Sequence, residues 1–259
     1  MAIITLTTDL GRKDFYVGAV KGSILNVIPN ANIIDISHEV TPFNVLEAAF
    51  ILKNAYKDFP KGSIHIISID STQRATNTYV CLKYDGYFFL GPDNGVLPLV
   101  LQSNYDKAYE ITLAEDNAGL NSFPLKSIYS KIAGFIAQGG ELEGIYKEID
   151  ELYNLVPLEP VIRDAFIQGS VIYCDNYGNL IVNINRDLFT EVGNGRPFKI
   201  HYRRMEYVSY ICANYYDVPE GEVVALFGES TYLEIAVNRD RANTLLGIDV
   251  GSPIQIEFI

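Results

Sequence analysis

The sequence predicts two domains. An N-terminal α/β domain with a largely parallel sheet spans residues 1–157. A linker covers 158–167, and an all-β C-terminal barrel domain covers 168–259. Three observations carry this reading. Residues 1–155 alternate short β-branched runs with stretches of helical apolar spacing, the pattern of a parallel sheet covered on both faces. Composition shifts at Pro157-Leu-Glu-Pro160. From Gly169 onward, short strand-like runs recur at even spacing between turn signals, with little helix, as in a small antiparallel barrel or sandwich.

Each element has its own warrant. Ile3-Ile4-Thr5-Leu6 reads as a buried strand, with strand character over 2–7, and the chain turns at Asp9-Leu10-Gly11. A helix over 14–28 follows, with Phe15, Val17, Val20, Ile24 and Ile28 among its apolar members. Asp9 therefore lies just past the carboxyl end of the first strand, where open α/β sheets bind ligands. A carboxylate there suits two vicinal ribose hydroxyls; it equally suits capping of the turn. The second strand, 32–36, leads to His38, which reads either as catalytic or as a loop anchor. Thr41-Pro42 opens a helix over 44–56, since proline is favoured near a first helical turn. A third strand, 63–69, ends at Asp70, and strands at 78–84 and 87–91 and a helix near 124–137 complete the domain. The C-terminal strands are expected at 168–175, 179–184, 197–202, 205–211, 222–227, 231–237 and 253–258, with a short helix at 240–246.

The 259 residues are 48% hydrophobic and 20% charged, ordinary for a globular chain with a real core. Net charge is −12 without a basic run, which argues against a nucleic-acid partner. No apolar stretch reaches the length of a membrane span and residues 1–6 feed into a strand, so a cytoplasmic location is expected. Cys81, Cys174 and Cys212 are odd in number and lie in strand-like runs, as core residues of a reduced protein do. His38, His65 and His201 are scattered, no spacing resembles a zinc site, and neither a metal nor a cofactor is expected.

Several stretches, taken in order over nearly all of the chain, resemble one family: Thr8-Asp-Leu-Gly11, Tyr16-Val-Gly, Lys21-Gly22, Asp35-Ile-Ser-His38, Thr41-Pro42, Ala48-Ala49, Phe59-Pro60-Lys-Gly62, Pro92-Asp-Asn-Gly95, Asp175-Asn-Tyr-Gly-Asn179 and Leu233-Glu-Ile-Ala236. The chain is similar to the S-adenosyl-L-methionine hydroxide adenosyltransferases, relatives of the fluorinase and chlorinase enzymes. The resemblance implies a homotrimer with sites between the N-terminal domain of one subunit and the C-terminal domain of its neighbour. It implies attack at the ribose 5′ carbon with methionine leaving as a neutral thioether, so the protein must position the nucleophile, strip its solvent and hold the ribose. Carried over, Asp9 would hold the ribose hydroxyls, Phe43 would lie against the sugar and Tyr215 would stack on adenine. Asp175 and Asn179 would hold the methionine amino group, and the backbone from Val237 to Arg239 would read the adenine edge. Without the resemblance, Tyr215 reads equally as barrel packing.

The departures from the family pattern fall at the chemistry. Hydrolytic members resemble Asp-Pro-Gly-Val-Gly-x-x-Arg after the third strand; here the loop is Asp70-Ser-Thr-Gln-Arg-Ala-Thr-Asn77. Asp70 is kept, Asn77 replaces the arginine, and Arg74 stands in for it if the loop turns inward. A Thr-Phe-His-Gly-like motif becomes Ser122-Phe-Pro-Leu125, and Pro124 offers no side-chain donor or acceptor. Leu125, at the position of a halide-binding serine, makes an apolar wall. Glu229 replaces a small polar residue near the substrate carboxylate, with Ser230 beside it as a possible donor. Two carboxylates about 4 Å apart at an effective dielectric of 20 repel by roughly 4 kcal/mol, nearly three decades of affinity. Glu229 therefore points to solvent, is protonated, or faces a ligand without that carboxylate.

The leading expectation is a hydrolase giving adenosine and L-methionine, with Asp70 and Arg74 as its catalytic residues. The alternatives are a catalytically degenerate binder of adenosine or S-adenosylmethionine, and an enzyme with a changed nucleophile or ligand.

Overall fold

A computed structural model describes residues 2–70, 78–111 and 123–259. The chain divides into two compact units, Met1–Val156 and Pro157–Ile259.

The first unit is built on a seven-stranded mixed sheet. Strands β1 (Ile3–Thr8), β2 (Asn32–Ser37), β3 (Ile64–Ser68), β4 (Tyr79–Tyr84), β5 (Tyr87–Pro92), β6 (Lys107–Ile111) and β7 (Lys147–Glu148) lie in the order β2-β1-β3-β5-β4-β6-β7. The pairs β2–β1, β1–β3 and β3–β5 are parallel; the remaining pairs are antiparallel, so β4 and β7 run against the other strands. Alternation along each strand feeds two cores, because successive side chains point to opposite faces. Ile4, Leu6, Ile64, Ile66, Tyr79, Cys81 and Leu90 face helices α1 (Tyr16–Val27) and α4 (Ser130–Ala137). Ile67, Ile69, Val80, Leu82 and Phe89 face α2 (Val45–Ala55) and α3 (Val96–Leu101).

Helix α2 begins later than Thr41-Pro42 suggests. Asn44 is its N-cap, and its side-chain oxygen accepts from the backbone N–H of Glu47 at 3.1 Å. Asparagine satisfies an otherwise orphaned N–H, which Pro42 has no means of doing, so the cap sets the start. The expected helix near 124–137 opens instead as a π-helical turn, Leu125–Tyr129, that runs into α4.

The second unit is an eight-stranded, wholly antiparallel sheet, nearly closed into a barrel. Its strands are β8 (Val161–Arg163), β9 (Phe166–Cys174), β10 (Leu180–Asn185), β11 (Phe198–Arg203), β12 (Glu206–Val208), β13 (Val223–Phe227), β14 (Tyr232–Val237) and β15 (Pro253–Phe258). The path is β12-β11-β15-β9-β10-β14-β13, with β8 paired to β9. After β12, Tyr210 Oη donates to Val223 O at 3.0 Å and Cys212 N–H to Ala225 O at 2.8 Å, which draws the two ends of the path together. Strand β8 falls within the stretch read as a linker, where Val161, Ile162 and Arg163 pair in register with Gln168, Ile167 and Phe166. Helix α5 (Arg186–Gly193), capped by Asn185, and α6 (Ala242–Leu246) flank the sheet. The core is apolar, with Val182, Ile184, Ile200, Leu233, Ile235 and Ile256 fully buried.

Candidate functional site

In the first unit, the sequence-selected residues gather at the carboxyl ends of adjacent parallel strands. Thr8 of β1 pairs with Ser68 of β3, so Asp9 and Asp70 leave the sheet beside one another just beyond that pair. This is the edge where α/β sheets carry ligands. Asp9 is half-buried, and its Oδ2 accepts the backbone N–H of Phe43 at 3.0 Å. Phe43 has φ +67°, a left-handed backbone that bulky residues rarely adopt, and the residue is 62% exposed. Asp9 thus performs the turn-holding task, with its other oxygen, Oδ1, outside that bond. Asp70 also has a left-handed backbone, φ +46°. Behind it, buried Asn94 donates through Nδ2 to Ile69 O at 2.9 Å and accepts Val96 N–H at 3.2 Å, tying the end of β3 to the start of α3.

Under Asp9 runs a polar chain. Thr8 Oγ1 meets His38 Nδ1 at 2.7 Å, His38 Nε2 lies 3.1 Å from Asp35 Oδ1, and Lys21 Nζ donates to Asp35 Oδ2 at 2.7 Å. The approach of His38 Nε2 to Asp35 Oδ1 lies within ion-pair distance without hydrogen-bond geometry, and neither buried atom has a hydrogen-bond partner among the described residues. Burial pushes the Asp35 carboxyl upward, but Lys21 and His38 outweigh it and hold it below the ordinary carboxylate value. His38 is buried and held through Nδ1 by Thr8, with Nε2 turned towards Asp35. It braces the strand ends instead of facing outward, the loop-anchor reading.

Arg74 and Asn77 lie outside the described residues, as does Ser122. Pro124 opens the π-helical turn and Leu125 is buried in the core between the sheet and α1, so neither presents a polar side chain.

In the second unit a cavity of about 680 Å³ is lined by Asn176, Tyr177, Asn179, Tyr215, Val237, Arg239, Asp240 and Arg241. Four residues selected from the sequence, Asn179, Tyr215, Val237 and Arg239, thus share one cleft. Asp175 builds its wall. Its Oδ1 accepts the N–H groups of Tyr177 (2.9 Å) and Asn179 (2.8 Å), and its Oδ2 accepts Asn179 Nδ2 (3.0 Å). Those bonds close the Asp175–Asn179 turn, in which Gly178 has φ +86°; an added Cβ there would stand 2.6 Å from Asn243 Oδ1. A carboxylate offers about four acceptor positions, so most of Asp175's capacity is spent on shaping the turn. Arg239, φ +61°, pairs through Nη1 with Glu220 Oε1 at 2.7 Å, and Arg241 Nη1 donates to Asn176 O at 2.8 Å.

Tyr215 heads a short 3₁₀ turn held by Asp217, whose Oδ2 accepts the N–H groups of Ala213 and Asn214, each at 2.9 Å. Its hydroxyl donates to Glu234 Oε1 at 2.6 Å. Burial raises the Glu234 carboxyl above its ordinary value, with Asp175 adding to the rise and the Tyr215 bond opposing it. The sequence singled out Leu233-Glu-Ile-Ala236 as a motif but gave Glu234 no task; the available signal was an acid in the middle of an otherwise apolar strand. Ser230 does not line the cleft. It sits in the β13–β14 turn, where its Oγ accepts Tyr232 N–H at 3.4 Å. Glu229, in the same turn, is exposed and likewise absent from the cleft wall.

Among the described residues, no cluster of three or more His, Cys, Asp or Glu side chains is placed to hold a metal ion. No described helix is long and apolar enough to cross a membrane.

Comparison with known proteins gives one direction. Residues 4–146 match the SAM hydroxide adenosyltransferase N-terminal domain and residues 169–255 its C-terminal domain. A protein of Methanocaldococcus jannaschii named (R)-S-adenosyl-L-methionine hydrolase is 30% identical, covering 99% of this chain and 96% of the relative. A fluorinase of Nocardia brasiliensis is 24% identical, over 98% of this chain and 96% of its own. Among solved structures, an uncharacterized conserved protein from Thermotoga maritima superposes with a TM-score of 0.85 at 29% identity, covering 99% of both chains.

Proposed function

The chain belongs to the SAM hydroxide adenosyltransferase family, and on that footing we propose that it hydrolyses S-adenosyl-L-methionine to adenosine and L-methionine. The observation that carries the reading is the convergence of Asn179, Tyr215, Val237 and Arg239 on one cleft, together with full-length relatives named (R)-S-adenosyl-L-methionine hydrolase. Those names specify one epimer at sulfur, and the (R) sulfonium is the substrate we expect here.

The step is a displacement. A water oxygen attacks the ribose 5′ carbon as the C5′–S bond breaks; the sulfur takes the electron pair and becomes neutral, and the water gives up one proton to solvent. The sulfonium is already a good leaving group, so placement and desolvation supply the acceleration. In this reading Asp9 accepts the ribose hydroxyls, Phe43 packs against the sugar and Tyr215 stacks on adenine. Asp175 and Asn179 receive the ammonium, and the Val237–Arg239 backbone meets the adenine edge. Asp70 orients the water, with Arg74 polarising it. No resident cofactor takes part. The functional assembly is a homotrimer in the cytoplasm, each site shared between neighbouring subunits.

A second reading, a holder of adenosine without turnover, is favoured by one observation: Pro124, at the position where the family resemblance puts a histidine in hydrolytic members, supplies no side-chain donor, and the buried Leu125 beside it supplies none either. One experiment separates the two. Purified protein is incubated with (R)- or (S)-S-adenosylmethionine and adenosine is followed by chromatography, beside Asp70→Ala. Adenosine from wild type on the (R) epimer, lost in the variant, supports hydrolysis. Adenosine binding without turnover supports the second reading.

A further inference from the structure

Along β14 the residues alternate. Leu233, Ile235 and Val237 enter the barrel core, whereas Glu234 and Ala236 face the opposite side. That side should be wet, yet Glu234 is only 6% exposed, because residues 212–218 cover the outer face of β13 and β14 through Cys212 and Val218. Beside Glu234 on the flanking strands stand Leu226 and Ile181. Burying a carboxylate among apolar neighbours is costly, and an apolar residue of similar volume would usually serve packing as well or better. What Glu234 does that a leucine cannot is accept the Tyr215 hydroxyl at 2.6 Å.

Tyr215 is consequently fixed at both ends. Asp217 clamps its backbone turn through Ala213 and Asn214, Glu234 holds its tip, and the residue is 43% exposed and lines the cleft. We infer that Glu234 is a positioning residue, which pre-sets the plane of the Tyr215 ring as a rigid face for the ligand's purine. A ring already locked loses little freedom on binding, so the tether acts on affinity. The inference rests on the proposed placement of adenine against Tyr215.

Adenosine is the probe, by titration calorimetry on the full-length protein. Tyr215→Phe keeps the ring and removes the tether from one side; Glu234→Leu removes it from the other. Each is expected to weaken adenosine binding by about tenfold, the double variant no more than either alone, because the two changes break one bond. Glu234→Gln should recover most of the loss, since its amide oxygen accepts the same hydroxyl. Melting temperatures recorded alongside distinguish this from simple loss of packing, which would shift stability without a shared, rescuable change in affinity. If Glu234→Leu does not fold, Tyr215→Phe and Glu234→Gln still decide the matter. Unchanged affinity in Tyr215→Phe, with binding lost in Tyr215→Ala, overturns the positioning role and leaves the purine face intact. Unchanged affinity in Tyr215→Ala, or no adenosine binding by wild type, overturns the placement of adenine itself.

Discussion

Asp9 holds the turn at Phe43 and, in the proposed site, the ribose as well. One oxygen holds the N–H of Phe43, whose φ of +67° is a strained setting for a phenylalanine. Such a backbone costs about 1–3 kcal/mol and persists only where its surroundings insist on it. Phe43→Gly should therefore raise the melting temperature or leave it unchanged while weakening adenosine binding through loss of the exposed ring. A fall in stability with affinity unchanged would mean that the ring packs for the fold and not for the ligand. Asp9→Ala removes both the turn bond and the proposed charge-assisted contact to the ribose, so nucleoside binding should be lost. Unchanged affinity there would break the ribose assignment. Glu229 is the opposite case. It is exposed and outside the cleft wall, so Glu229→Ser should change S-adenosylmethionine affinity by less than about threefold, as screened surface charges do. A gain of a hundredfold would put that carboxylate against the ligand after all.

At the scale of the element, β3 carries the clearest pH signature. His65 is fully buried among Tyr56, Phe59, Tyr87 and Phe89, and its Nδ1 meets Thr5 Oγ1 at 2.8 Å. Burial lowers its pKa to about 4 from an ordinary 6.5. The unfolded chain thus binds this proton between those values and the folded chain does not. Stability from the neutral ring is complete above pH 6.5 and is lost as pH falls towards 4, by up to roughly 3 kcal/mol. Denaturation midpoints of wild type and His65→Phe, compared from pH 7 to 4.5, should diverge, with the variant falling less steeply; parallel curves would remove His65 from the acid response. Strands such as β1 and β3 were legible because their β-branched runs have no competing period. Helix α3 was not: Val-Leu-Pro-Leu-Val-Leu is apolar throughout and buried, and such a run has no face to betray a helix. Strand β8 hid among prolines and polar residues because its three residues are exposed and owe their order to pairing with β9. In the site, the family resemblance pointed to Tyr215 and Asn179, whereas residue type alone left Tyr215 open as barrel packing. The spending of Asp175 on its own turn, and the covering of Glu234, depend on how residues 176–179 and 212–218 fold, which no alternation in the strands records.

On the scale of the whole molecule, the proposed residues divide between two compact units: Asp9, Phe43 and Asp70 in the first, Asp175, Asn179 and Tyr215 in the second. If each site in the proposed homotrimer joins the first unit of one subunit to the second unit of its neighbour, the two halves are separable by mutation. Asp9→Ala spoils the first half and Tyr215→Ala the second. Refolded together in equal amounts, the two inactive variants should regain activity. In a cyclic trimer a site is intact when an unaltered first unit meets an unaltered second unit, which random mixing provides at about a quarter of the sites. Adenosine release at about a quarter of the wild-type rate, with sedimentation as a trimer, would establish sharing between subunits. A trimer that regains nothing would place each site within one chain, and a monomer with full wild-type activity would remove the assembly from the mechanism.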